Sequence, residues 1–204
     1  TGECADEIFG GYPWFHKKEC FEADIFPWSM DFKPRTMLLK DEVLKELPVR
    51  EYALEAYHRT LAETPVLEGE RGEERRRREI SYLNLRWFMQ TLLDRMDRTS
   101  MHVGLEARVP FADHRIIEYA WNVPWDMKYR DGVVKALLRA AGKEHLPQEV
   151  IYRRKSPYPK TYDPAYEQLV RGHMRNVLED ANAPIRELID GEKVKKFMEQ
   201  PSDY

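Results

Sequence analysis

The sequence predicts a mainly α-helical fold. Three observations carry that expectation: apolar residues return at helical rather than alternating spacing, acids and bases stand four apart along charged stretches, and prolines and capping residues sit where the stripes begin and end. Runs of period two are few.

Residues 1–12, TGECADEIFGGY, set Glu3, Asp6 and Glu7 three and four apart, so a helix starting near Ala5 crowds their carboxylates around one end. Acids suit a helix N-terminus, where unpaired N–H groups and the positive dipole end favour negative charge. That is the plainer reading. The other starts from Gly2 ahead of the acids and Gly10-Gly11 behind them, residues that allow close approach of backbone to a ligand. Such a loop can hold a hard cation on carboxylate oxygen and, through it, a polyphosphate. Spacing alone leaves both open.

From Tyr12 to Pro34 aromatic residues are mixed with Pro13, Pro27 and Pro34, which reads as an irregular, aromatic-packed segment with short helical turns. Residues 39–46 form a short helix. Pro48 then stands near the first turn of a longer one, striped by Tyr52, Leu54, Ala56, Tyr57 and Leu61 and ended by Thr64-Pro65. The polar link Glu68–Gly72 is too short to be a domain boundary.

In EERRRREI, Glu73 and Arg77, Glu74 and Arg78, and Arg75 and Glu79 are four apart, so a solvated helical face is favoured over a phosphate-tracking patch. Ile80, Leu83, Trp87 and Phe88 continue its buried side. Arg95 and Arg98 share a helix face and either converge on an anion or belong to a surface lattice with Asp94 and Asp97. Glu106 and Arg108 read as a buried structural pair, Val109-Pro110-Phe111 as extended, and Asp113 as the N-cap of a helix over 114–121. Arg130–Lys135 reads as a glycine turn feeding a helix, with Lys135 on its first turn as a mobile point charge suited to an anion. Arg153, Arg154, Lys155 and Lys160 form a basic cluster broken by prolines, either a flap over phosphates or a surface loop. Asp163-Pro164 starts a helix striped by Tyr166, Leu169, Val170, His173 and Val177, with His173 at an interface, and a last helix over 191–199 buries Val194, Phe197 and Met198.

With 34% charged and 42% hydrophobic residues in 204, the chain is globular in composition. A net charge of −3 gives no general attraction for nucleic acid or anionic membrane. No apolar run approaches a membrane span, and Cys4 and Cys20 suit neither a disulfide framework nor a zinc site, so a cytoplasmic protein is expected. The dense motif at Thr1 has nothing ahead of it, which reads as a piece of a longer chain.

TGECADEIFGGY resembles the SGEGADELFGGY element of the synthetase domain of glutamine-dependent asparagine synthetases and their relatives, the β-lactam synthetases, a family of ATP pyrophosphatases. Further segments match in the family's order: LLDRMDRTSMHVGLEARVPFADHR at 92–115, WNVPWDMKYRDGVVKALLRAAG at 121–142 with its R-x-G-x-x-K turn, and the helix and KSPYPKT loop within 146–164. The matches span roughly residues 1–160. The resemblance implies an α/β adenine-nucleotide synthetase domain of which residues 1–204 are the C-terminal, mainly α portion. The SGGxDS phosphate loop and the amidotransferase domain with its nucleophilic cysteine are not in this sequence, so the chain alone is expected to be inactive.

The resemblance further implies that Thr1 and Gly2 touch ATP, that Glu3 assists formation of a β-aspartyl-AMP intermediate, that Asp6 holds magnesium, that Lys135 stabilises the pyrophosphate, and that Arg98 neighbours a phosphate or the aspartate carboxylate. Cys4 replaces the usual glycine, where positive φ would strain it. The implied reaction converts aspartate to asparagine with MgATP and with ammonia taken from glutamine, releasing AMP and pyrophosphate. No nucleic acid or membrane partner is expected, and a homodimer is compatible with the reading. Two alternatives stand beside it. One is a β-lactam synthetase-like enzyme, against which Glu3 speaks because those relatives have tyrosine there; the other is a helical binding module without catalysis.

Overall fold

The computed structural model describes residues 1–155 and 163–199. Its helices are α1 (Ala5–Phe9), α2 (Lys18–Phe21), α3 (Lys33–Thr36), α4 (Asp41–Glu46), α5 (Val49–Ala62), α6 (Gly72–Leu83), α7 (Met89–Met101), α8 (His114–Trp121), α9 (Trp125–Lys128), α10 (Ala136–Gly142), α11 (Gln148–Ile151), α12 (Pro164–Glu179) and α13 (Gly191–Glu199). A five-residue π-turn, Asn84–Phe88, runs α6 directly into α7. Among the described residues no helix is long and apolar enough to cross a membrane.

The mainly helical expectation holds, with one departure. Strands β1 (Tyr129–Arg130) and β2 (Val133–Val134) pair antiparallel, Tyr129 against Val134 and Arg130 against Val133. Asp131 and Gly132 between them take φ of 52° and 78°, as a tight two-residue hairpin turn requires. Asp-Gly is itself a hairpin signal and outweighs the reading of Arg130–Lys135 as a simple turn into a helix.

The chain folds as two compact units. In the first, Thr1–Met30 with Ala53–Arg154, the core has two centres. α1 buries Ala5, Ile8 and Phe9 together with Ala120 of α8, and Ile116, Ile117, Leu137 and Leu138 of α8 and α10 pack around them. Phe111 meets Phe9 edge-on at 6.1 Å. The second centre joins Phe26, Ala56, Tyr57 and Leu83 with Trp28, Leu61 and Trp87. Its polar tips are paired: the Tyr57 hydroxyl donates to the Ala23 carbonyl at 3.2 Å, and Trp87 Nε1 donates to the Thr60 hydroxyl at 3.0 Å. Asn84, fully buried, donates to the Ile80 carbonyl at 2.8 Å and accepts from Trp14 Nε1 at 3.3 Å.

The charged run of α6 is only half a solvated face. Arg77 pairs with Glu73 at 2.9 Å and Arg75 with Glu79 at 3.1 Å, as spacing predicts. Arg76 pairs with Glu79 at 3.3 Å and also turns inward, donating to the carbonyls of Phe21 and Ala23 at 2.8 and 2.7 Å. Arg78, 10% exposed, takes Glu70 at 2.6 Å rather than Glu74 and donates to the Trp121 carbonyl at 3.0 Å. Helical spacing counts partners along one helix; the fold supplied better ones from neighbouring loops. Glu106 and Arg108 do pair, at 3.1 Å, but both are exposed rather than buried. Pro110–Ala112 is a 3-10 turn rather than extended chain, because Phe111 must reach Phe9. Asp113 caps α8 by accepting from the Arg115 N–H at 2.9 Å.

The second unit comprises Asp31–Tyr52 and the described part of Lys155–Tyr204. Leu39 bridges Ile189 antiparallel, and Lys193 Nζ donates to the Leu39 carbonyl at 2.9 Å and to Asp41 at 2.6 Å. Asp163 caps α12 by accepting from Ala165 N at 2.9 Å. The stripe predicted on α12 exists, yet Tyr166, Leu169, Val170 and Val177 are exposed, as is His173. Periodicity identifies an apolar face and says nothing of what covers it. On α13, Val194 is buried and Phe197 and Met198 are half-buried.

One buried charge in the first unit sets a pH dependence. Lys128 is 6% exposed, and burial pushes its ammonium from 10.5 down to about 8. Between those values the unfolded chain binds a proton that the folded chain lacks, so stability from this group rises with pH across the window. Replacing Lys128 by methionine is therefore expected to stabilise the protein at pH 7 by roughly 2 kcal/mol, an advantage that narrows by pH 9.5; urea denaturation at both pH values reads it. Leu83→Ala, at a fully buried position, is expected to lower stability by about 2–5 kcal/mol in the same assay.

Candidate functional site

The backbone of residues 1–12 is shaped before any side chain acts. Cys4 takes φ 73° at the N-cap of α1, the left-handed region that a glycine adopts freely and a cysteine does not. Its thiol is buried, which pushes its pKa up to about 12 and leaves it unreactive. Gly10 ends α1 at φ 69°, and a Cβ there would enter the ring of Trp125. The Gly11 N–H donates to the Asp6 carbonyl at 2.8 Å. A Cβ on Gly11 would overlap both the Asp6 carboxylate and the stem of Lys135.

The cation arrives from α10. Leu137 and Leu138 pack into the core around α1, so Lys135 at the start of their helix is carried back to the α1 loop. Lys135 sits not on the first turn but at the N-cap, at φ 56°, with Nζ 2.9 Å from Asp6 Oδ1; each side chain is about a fifth exposed. Glu3, 17% exposed, faces Arg95 of α7 at 3.6 Å. The Thr1 hydroxyl accepts from the Glu3 N–H at 3.3 Å, and the space a Cβ on Gly2 would take is open.

Behind these groups Glu7 is buried and accepts from the Tyr12 hydroxyl at 2.8 Å. Burial raises the Glu7 carboxyl above its ordinary range against the pull of that hydrogen bond, and raises the Tyr12 phenol as well. His16 Nε2 donates to the Gly10 carbonyl at 2.9 Å, and burial lowers the ring's pKa, so it serves the loop as a neutral imidazole.

Thr1, Gly2, Glu3, Asp6 and Lys135 thus gather around the start of α1. Arg98 does not join them: it pairs with Asp94 at 2.7 Å on the exposed side of α7. Arg95, three residues earlier, reaches Glu3 instead, and its only signal in sequence was the face it shares with Arg98. Arg153, Arg154 and Lys155 are exposed, while Lys160 and the rest of the KSPYPKT loop after Lys155 lie outside the described residues. Among the described residues no three His, Cys, Asp or Glu side chains converge as a metal site. One hard carboxylate on Asp6 fits a magnesium ion that keeps several waters and shares substrate phosphates, not a cage built by protein alone.

The whole chain, residues 1–204, matches the family model described as asparagine synthase. It is 47% identical to asparagine synthetase [glutamine-hydrolyzing] 3 of Bacillus subtilis over 98% of this chain and 32% of that protein. It is 22% identical to the B. subtilis asparagine synthetase [glutamine-hydrolyzing] 1 over 89% of this chain and 33% of that protein. With the Rattus norvegicus asparagine synthetase it shares 42% identity over 31% of this chain and 12% of that protein. The chain spans about a third of the length of the B. subtilis relatives. A loop and a lysine distant in sequence meet in one site, within a chain matched from end to end, and the protein belongs to the asparagine synthase family.

Proposed function

We propose that residues 1–204 are the C-terminal portion of an asparagine synthetase-like synthetase domain of the α/β ATP pyrophosphatase type, and that the complete protein makes asparagine from aspartate, MgATP and glutamine. The observation that carries this is the Lys135–Asp6 contact at 2.9 Å, made by two separate family segments over a Gly11 that admits no side chain. Val103 and Leu105, 73% and 63% exposed, support a domain that continues beyond these residues, since apolar surface of this kind is what a sheet would cover.

On this reading the aspartate side-chain carboxylate attacks the α-phosphorus of ATP, the bond to the bridging oxygen breaks, and pyrophosphate leaves from β-aspartyl-AMP. Ammonia released from glutamine by an amidotransferase domain then attacks the acyl carbon, nitrogen loses a proton, and AMP departs with the bonding pair. Adenylation is needed because a bare carboxylate has no usable leaving group. Thr1 and Gly2 present backbone to ATP, and Lys135 offsets the charge that grows on pyrophosphate. Glu3 orients the acceptor or takes the proton in the second step. Asp6 would hold magnesium, which would supply Lewis-acid neutralisation of phosphate charge. Arg95, held by Glu3, is better placed than Arg98 to meet a phosphate or the aspartate carboxylate. Burial of Cys4 and the Asp6 contact of Lys135 hold both residues at positive φ and so keep the loop and the cation in register.

The test is to supply the complete protein with MgATP, aspartate and glutamine and follow products by mass spectrometry. Asparagine, AMP and pyrophosphate are expected in equal amounts, and none from residues 1–204 alone. Lys135→Ala is expected to lower kcat by about 10²–10³. Gly11→Ala is expected to fall comparably while circular dichroism stays unchanged, because the new methyl displaces the Asp6 carboxylate. AMP and pyrophosphate without asparagine would replace ammonia and aspartate by another acceptor pair. Absence of ATP cleavage in the complete protein would overturn the enzymatic reading.

A further inference from the structure

A cavity of about 180 Å³ lies in the first unit between α6 and the segment Trp121–Lys128, and the function proposed above makes no use of it. Its polar lining includes Glu70, Glu74, Ser81 and Asn122, and beside them two hydrogen-bond donors that have no acceptor among the described residues. Trp125 Nε1 and Arg77 Nε are buried without a partner among the described residues. Lys128, 6% exposed, lines the same space, and the charge that bears on it is that of Arg78, like its own. The nearby carboxylates are engaged elsewhere or open to solvent. Glu70 is taken by Arg78 at 2.6 Å, Glu73 meets the terminal nitrogen of Arg77 at 2.9 Å, and Glu74, also in the lining, is exposed.

These donors are held in place. The Arg77 guanidinium sits over the rings of Phe21 and Trp125 at 5.5 and 5.4 Å, and the Trp125 ring stacks on Phe15 at 5.2 Å. The space exceeds several water molecules at about 30 Å³ each. Water would accept from these groups but also bring two O–H donors of its own, which the ammonium, the indole N–H and the guanidinium cannot accept. An oxyanion brings acceptors alone, together with the charge that Lys128 lacks opposite it.

We propose that this cavity binds a small oxyanion, a carboxylate or inorganic phosphate, through Lys128 Nζ, Trp125 Nε1 and Arg77 Nε. An occupied site would also fix the indole against which Gly10 packs, tying the cavity to the turn at the end of α1.

The test uses the ¹⁵N-labelled protein and its indole N–H resonances, titrated separately with sodium acetate and sodium phosphate against sodium chloride of matched ionic strength. The resonance of Trp125, identified by its loss in Trp125→Phe, is expected to shift saturably with at least one oxyanion and not with chloride. The acetate and phosphate arms tell a carboxylate site from a phosphate site. Lys128→Met is expected to weaken binding about tenfold or more, with the other indole resonances unmoved as evidence of an intact fold. Calorimetry on Trp125→Phe, which keeps the aromatic packing and removes only the N–H, is expected to show weaker binding as well. No saturable shift beyond chloride would show a cavity filled by water and overturn the proposal, as would equal affinity in Lys128→Met.

Discussion

The loop at residues 1–12 depends on the burial of α1. A five-residue helix forms too few internal hydrogen bonds to offset the cost of nucleation, so it persists only because Ile8 and Phe9 are packed among α8, α10 and Phe111. Full burial of side chains of this size is worth about 1.5–3 kcal/mol each. The same packing decides chemistry, since Leu137 and Leu138 belong to that cluster and Lys135 directly precedes their helix. Apolar contact on one side of α1 therefore sets an ammonium against a carboxylate on the other.

Close approach brings its own constraint on residue type. Gly10 must leave room for the Trp125 ring, and Gly11 for the Asp6–Lys135 pair. Cys4 and Lys135 pay in backbone strain, which by general experience amounts to about 1–3 kcal/mol for such residues held in sparsely populated regions. Strain of that size survives only where the surroundings over-determine it. Here they do: the Cys4 side chain is enclosed, and Lys135 is tied by its ammonium at one end and by α10 at the other.

The arginines of α6 show how far helix-surface rules extend. Arg75 and Arg77 obey them, Arg76 keeps Glu79 while also reaching the carbonyls of Phe21 and Ala23, and Arg78 leaves the helix for Glu70. Arg78 also places a like charge near Lys128, which adds to burial in holding that ammonium's pKa down. A run that reads as decoration in sequence is thus part of how the first unit closes its loops.

Most of the helices were legible in the sequence because their signals are local: the stripe of α5, the Asp113 and Asp163 caps, Pro164 at the start of α12 and the breaks at Pro48 and Thr64-Pro65 depend on residues a turn or so apart. The candidate loop was legible too, since Gly2, Glu3, Asp6, Gly10 and Gly11 lie within a dozen positions and carry a family likeness. What tertiary structure alone decided was every relation across distance. It chose Arg95 over Arg98 to face Glu3, placed Lys135 against Asp6, sent Arg78 to Glu70, left the apolar stripe of α12 exposed and enclosed Lys128 with no carboxylate partner among the described residues. Periodicity reports which face of a helix is apolar or charged; which neighbour meets that face is settled only when side chains from remote segments compete for the same space.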